Sequence, residues 1–132
     1  MTGYSVLVVD DYVSVRKVLG QALARSGFEV LLAGSGEEAC EILKERSVDA
    51  VLMDLRMPTM SGQTLFHLIT SRWPHLKSRV VIMTGEAETE SHQTWLNVFA
   101  LPTIRKPFGM SEIVGLINSV ILDESREANG EH

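Results

Sequence analysis

Four of five short apolar runs in the chain end in side chains that could do chemistry. The first ends in Asp10-Asp11, the third in Asp54, the fourth in Thr84-Gly85 and the fifth in Arg105-Lys106-Pro107, while the second ends in the uncharged Gly34-Ser35. The intervals of 43 residues (Asp11 to Asp54), 30 (Asp54 to Thr84) and 22 (Thr84 to Lys106) each suit one or two βα units. In an open α/β sheet, ligands bind beyond the carboxyl ends of the strands. Three carboxylates, a hydroxyl and one or two cations are therefore expected at one edge. Clustered carboxylates raise one another's pKa unless a cation intervenes. A hard divalent ion answers this, and Mg2+ takes oxygen ligands from one or two carboxylates, waters and a phosphate oxygen. The absence of a His or Cys cluster in the sequence argues against zinc or copper. A carboxylate beside Mg2+ and a lysine can attack a phosphoryl group, with a hydroxyl donating to one of the transferring oxygens. The chemistry suggested is phosphoryl transfer onto an aspartate.

Those residues need elements to position them. Val6 to Val9, Phe28 to Ala33, Val48 to Met53 and Val80 to Met83 are short runs rich in β-branched residues, and Pro102 to Arg105 is a weaker one. Such runs read as parallel strands buried on both faces. Between them, Val15, Val18, Leu19, Ala22 and Leu23 follow a helical apolar period. Ser35-Gly36-Glu37-Glu38 fits a capping box ahead of Ala39, Ile42 and Leu43. Leu65, Leu68 and Ile69 mark a third helix that Trp73-Pro74 ends. Glu88 to Phe99 is a fourth, and Ile113 to Ile121 a fifth. Strict alternation of five strands and five helices predicts an α/β fold with a parallel sheet between helical layers.

Composition agrees with one domain. The chain has 132 residues, 45% of them apolar, and a net charge of −5. That size buries enough surface to fold without a metal or disulfide. The negative balance argues against direct nucleic-acid binding. The single Cys40 excludes an internal disulfide and reads as a structural residue on the second helix. No apolar run approaches the roughly 20 residues of a membrane span, and no leader opens the chain. A cytoplasmic location with no membrane partner is expected. Residues 123–132 are polar except Ala128 and read as a tail, a linker or a purification-tag remnant, leaving residues 1–122 as the domain. Met57 and Met60 read as core fillers around a turn, and Trp95 and Phe99 as packing residues. His67, His75 and His92 are scattered along the chain.

The stretches Val6-Leu7-Val8-Val9-Asp10-Asp11, Met53-Asp54-Leu55-Arg56-Met57-Pro58-Thr59-Met60-Ser61-Gly62, Met83-Thr84-Gly85 and Lys106-Pro107-Phe108 closely resemble a response-regulator receiver domain, the CheY-like module of two-component signalling. The resemblance runs from about Ser5 to Leu122. It implies a flavodoxin-like, doubly wound sheet in the order 2-1-3-4-5. It also implies that Asp54 accepts a phosphoryl group from a sensor histidine kinase or a histidine phosphotransfer protein. Asp10, Asp11, Asp54 and the backbone carbonyl of Arg56 would ligate Mg2+. Thr84 and Lys106 would hold the phosphoryl group, with a cis peptide to Pro107 placing the lysine. The module would be a signalling domain in a phosphorelay rather than an enzyme, with at most self-phosphorylation and self-dephosphorylation chemistry.

Two positions depart from the family pattern. Thr103 stands where receivers that drive an output domain often carry an aromatic switch residue, and Gly109 stands where an Asp commonly caps the fifth helix. With Thr103, the Leu101-to-Phe108 stretch looks most like the receiver at the C-terminal end of a hybrid histidine kinase, with no DNA-binding segment. Gly85 lacks a side chain and leaves room for a donor imidazole. Arg56 and Glu86 lie two residues beyond Asp54 and Thr84, where they either pair across the pocket mouth or stand as independent exposed charges. Two other readings compete with the phosphoacceptor. One is an interaction module of the same fold that is never phosphorylated. The other is an aspartyl-nucleophile phosphohydrolase, weakened by Arg56 at the place where such enzymes carry a second acid.

Overall fold

The computed structural model describes residues 3–85 and 90–122. Eleven elements alternate along it: β1 (Ser5–Val9), α1 (Val13–Arg25), β2 (Glu29–Ala33), α2 (Gly36–Glu45), β3 (Ala50–Asp54), α3 (Gly62–Arg72), a 3-10 turn (Pro74–Leu76), β4 (Val80–Thr84), α4 (Glu90–Val98), β5 (Thr103–Arg105) and α5 (Met110–Leu122). All strand pairs are parallel, in the order β2-β1-β3-β4-β5. The fold is thus the doubly wound sheet that the sequence predicts. Residues 123–132, the expected tail, lie outside the described residues, as does Glu86.

Side chains alternate across each strand, so each buried strand feeds two cores. Leu7, Val9, Val51, Met53 and Ile82 pack with Ala39 and Leu43 of α2, Leu65, Phe66 and Ile69 of α3, and Trp95 and Leu96 of α4. Val6, Val8, Leu52, Val81 and Met83 pack with Leu19 and Leu23 of α1 and with Ile113, Ile117, Val120 and Ile121 of α5. The three central strands are wholly buried apart from the first residue of β1. The edge strands are not: Glu29 and Leu32 of β2 and Thr103 and Arg105 of β5 are exposed. The prediction of burial on both faces therefore fails at the edges, where a strand has a neighbour on one side only. The helical apolar period likewise overreaches at Val18, which is 59% exposed. The inward stripe of α1 narrows to Leu19 and Leu23 because the helix meets the sheet along one line.

The helix ends follow their local chemistry. The Ser35 hydroxyl accepts from the Glu38 N–H at 3.1 Å, as a capping box requires. The reciprocal arm lands one residue early, on the Gly34 N–H at 2.6 Å. Ser61 caps α3 through the Thr64 N–H, and Trp73 ends it before Pro74. Helix α4 closes with two reverse-turn bonds, Leu101 N–H to the Leu96 carbonyl and Ala100 N–H to the Asn97 carbonyl. This is the Schellman pattern, whose left-handed residue is usually glycine. Here it is Ala100, at φ 51°. A Cβ in that region costs about 1–2 kcal/mol, part of which glycine would return as unfolded-chain entropy. Ala100→Gly should therefore raise the unfolding free energy by roughly 1 kcal/mol in urea titrations, with the slope unchanged.

Candidate functional site

Strand register builds the site. Val9 is paired with Met53, so Asp10 leaves β1 level with Asp54 at the end of β3. Asp54 is paired with Met83 and Thr84 with Arg105, which sets Thr84 and Lys106 progressively further along the same edge. The Lys106 N–H donates to the Thr84 carbonyl at 2.7 Å, and the Lys106–Pro107 peptide is cis. Asp10 is fully buried, Asp54 is 5% exposed and Thr84 is buried. Carboxylate oxygens of Asp10, Asp11 and Asp54 lie within 4.8 Å of one another.

Each of these carboxylates has a different set of partners. Asp54 Oδ2 accepts from Lys106 Nζ at 2.9 Å and Oδ1 from the Arg56 N–H at 3.1 Å. Asp10 Oδ1 accepts from the Tyr12 N–H at 2.9 Å, and its Oδ2 lies 3.4 Å from Lys106 Nζ. Asp11 Oδ1 is buried and, among the described residues, has no hydrogen-bond partner. A buried acceptor left without a donor costs about 1–3 kcal/mol, so such an atom marks a place for something else to bind. Facing two other carboxylates, it suits a hard cation and not a proton donor. The residues expected to hold Mg2+ fit that group by their chemistry.

Burial holds the Asp10 carboxyl above the usual carboxylate range, against the opposing pull of the Tyr12 N–H and Lys106. For Lys106, burial favours the neutral amine. The hydrogen bond and charge of Asp54, then those of Asp10, outweigh it and lift its pKa above the ordinary lysine value. The ammonium is therefore firmly charged at neutral pH.

Other expected residues have plain positions. Among the described residues, a Cβ on Gly85 would meet nothing within 4 Å. Gly109, just before α5, is likewise free of close neighbours. Thr103 is exposed, and its hydroxyl donates to the Leu101 carbonyl at 3.1 Å. The Arg56 side chain is exposed. Met57 and Met60 pack against the core, and Cys40 is buried there. Burial pushes the Cys40 thiol pKa up, which suits a structural residue.

Sequence reasoning missed Arg16. Its guanidinium donates to the Asp10 carbonyl at 2.7 Å, fixing the turn that carries both acids. Gly34 makes room for it: a Cβ there would stand 3.0 Å from Arg16 Nη1. A cation one helical turn beyond an acidic pair was the available signal. Also missed was an apolar groove of about 240 Å3 opening beside Lys106, lined by Val15, Val18, Leu19 and Phe108. Tyr12 and Val13, just beyond Asp11, are also exposed.

Comparison with known proteins agrees with this geometry. Residues 6–118 match the response regulator receiver domain family. Regulatory protein AtoC of Escherichia coli (strain K12) is 32% identical over 127 residues, covering 96% of this chain and 27% of AtoC. The DNA-binding transcriptional regulator NtrC of Escherichia coli (strain K12) is 36% identical over 116 residues, covering 88% of this chain and 24% of NtrC. The chain thus spans about a quarter of the length of these relatives. Among solved structures, a response regulator receiver domain protein from Clostridium thermocellum superposes with a TM-score of 0.82 at 29% identity, covering 92% of this chain and 97% of that one. With the acids, the lysine and the strand order all in register, the chain belongs to the response-regulator receiver family.

Proposed function

We propose that this receiver domain accepts a phosphoryl group on Asp54 from a phosphohistidine and passes it on or uses it to change a protein contact. The observation that carries the reading is the pairing of Asp54 Oδ2 with Lys106 at 2.9 Å beside the orphaned Asp11 Oδ1. An Asp54 oxygen attacks phosphorus as the P–N bond breaks, and the imidazole, protonated on its other nitrogen, leaves with the electron pair, giving an acyl phosphate and a neutral histidine. Lys106 offsets charge on the transferring oxygens, and the Thr84 hydroxyl donates to one of them. Asp10, Asp11, Asp54 and the Arg56 carbonyl are the residues that would hold Mg2+, which would neutralise charge on the transferring group. Gly85 leaves the mouth open for the donor ring.

The donor is a sensor histidine kinase or a histidine phosphotransfer protein. Val18 and Phe108 line the apolar groove beside Lys106, Tyr12 and Val13 just beyond Asp11 are more than half exposed, and this apolar surface suits such a protein. The longer relatives AtoC and NtrC are regulatory proteins, NtrC a DNA-binding one. A DNA-binding partner domain and a hybrid-kinase setting are both open contexts for the same acceptor chemistry. Among the described residues, no helix is long and apolar enough to cross a membrane.

Incubation with a small acyl or amido phosphate and Mg2+ should yield a phosphoprotein by intact mass, and Asp54→Ala should yield none. No adduct on the unaltered chain would leave the unphosphorylated interaction module as the better reading. Multiple turnover of an ordinary phosphate ester would favour the phosphohydrolase.

The metal reading has its own test. Asp11→Ala removes a like charge and a buried orphan acceptor, so without Mg2+ it should be more stable than the parent by about 1 kcal/mol. At about a hundred-fold over its dissociation constant, Mg2+ should stabilise the parent by about 2.7 kcal/mol and leave the variant unchanged. Urea unfolding with and without MgCl2 reads both effects.

A further inference from the structure

Helix α3 is seated directly on the acceptor. The N–H of Gly62, its first residue, donates to the Leu55 carbonyl at 2.8 Å. A Cβ on Gly62 would stand 2.5 Å from the Asp54 carbonyl oxygen and 2.8 Å from Leu55 Cα. Any shift of the Asp54–Leu55 backbone therefore reaches α3 through rigid contact. Esterification of Asp54 bears on that backbone, because one of its oxygens accepts from the Arg56 N–H two residues on and the other from Lys106. Adding phosphorus to one of them redirects that bond.

Further along α3, His67 meets α4. Trp95 Nε1 lies 3.0 Å from His67 Nε2. An indole N–H only donates, so Nε2 must accept, and the neutral imidazole carries its proton on Nδ1. The rings of Phe66, His67, Trp95 and Phe99 pack mostly edge to face, with centroids 4.9–5.8 Å apart. Among the described residues, the other flank of α4 borders a cavity. With Thr103 in place of a ring, a cavity of about 440 Å3 remains, lined by Thr84, Gln93, Leu96, Asn97, Thr103 and Arg105. Helix α4 is thus tied to α3 on one side and has room to move on the other.

We propose that His67 is a positioning residue. Through its hydrogen bond to Trp95 it carries the state of Asp54 from α3 to α4, taking the place of an aromatic relay at position 103. The relay rests on the acceptor role proposed for Asp54.

Trp73→Phe leaves Trp95 as the only tryptophan. In that background, Trp95 emission is recorded before and after a small phosphodonor with Mg2+, and intact mass measures the phosphorylated fraction. His67→Gln keeps an acceptor on the helix, and His67→Phe keeps the ring without one. The parent and H67Q should show the phosphorylation-dependent change in emission. H67F should be phosphorylated to the same extent and show none. A change of full size in H67F, or none in a fully phosphorylated parent, overturns the relay while leaving the acceptor role intact. If no protein is phosphorylated, the acceptor role fails and the relay with it. A purely structural role for His67 would lower stability in H67F but keep the emission change, which also overturns the proposal.

Discussion

Three carboxylates within 4.8 Å of one another share the end of one sheet with the ammonium of Lys106. At an effective dielectric of about 20, each unit-charge pair at that separation repels by about 3 kcal/mol. Water screens little of this, because Asp10 is fully buried and Asp54 nearly so. The lysine answers part of the repulsion and is held charged by doing so. The remaining negative charge suits a hard divalent cation. Without an enforced framework the acids would separate. The parallel sheet supplies that framework, since it sends the ends of β1, β3, β4 and β5 to the same edge in fixed register.

Glycines and cations hold the loops that the strands release. Arg16 clamps the Asp10 carbonyl in space that Gly34 vacates. Gly62 lets α3 start against the Asp54 backbone, where any side chain would collide. These contacts constrain the site at the cost of local stability, as the orphaned Asp11 oxygen shows. The central strands offset that cost, with Val6 to Val9, Ala50 to Met53 and Val80 to Met83 fully buried. Functional sites are where local preference is overruled, and the surrounding core is what permits it.

The parallel sheet and the edge that gathers the acids were legible because they arise from patterns within single segments, whereas the strand order came with the resemblance to receiver domains. Apolar runs, helical periods and the residue types at the end of each run are local facts. Depth was less legible. Val18 carries the same apolar signal as Leu19, yet only Leu19 meets the sheet. Edge and centre strands look alike in sequence, since the difference lies in which neighbours they gain. The His67–Trp95 hydrogen bond joins residues 28 apart on two helices. It depends on how α3 and α4 are rotated against each other, which no periodicity reports. Scattered histidines gave no sign that one of them accepts from an indole. The left-handed Ala100 was equally hidden, because nothing in an alanine announces a positive φ.

Stability is unevenly spread across this sheet, and the unevenness favours one half for conformational response. β5 has three residues, with only Ile104 buried. Helix α4 is nine residues long, buries Trp95 and Leu96, and ends in a strained turn. The cavity beside it removes packing that a larger residue at position 103 would provide. Segments with few buried apolar contacts open at lower free energy than the core, and moving elements are drawn from them. By contrast, α1 and α5 enclose Leu19, Leu23, Ile113 and Ile117 against wholly buried strands. A perturbation at Asp54 therefore meets a rigid wall on one side of the sheet. On the other it meets the short helix α4, joined to α3 by an aromatic cluster. The relay proposed from α3 to α4 uses this half of the sheet, beside the cavity that Thr103 lines.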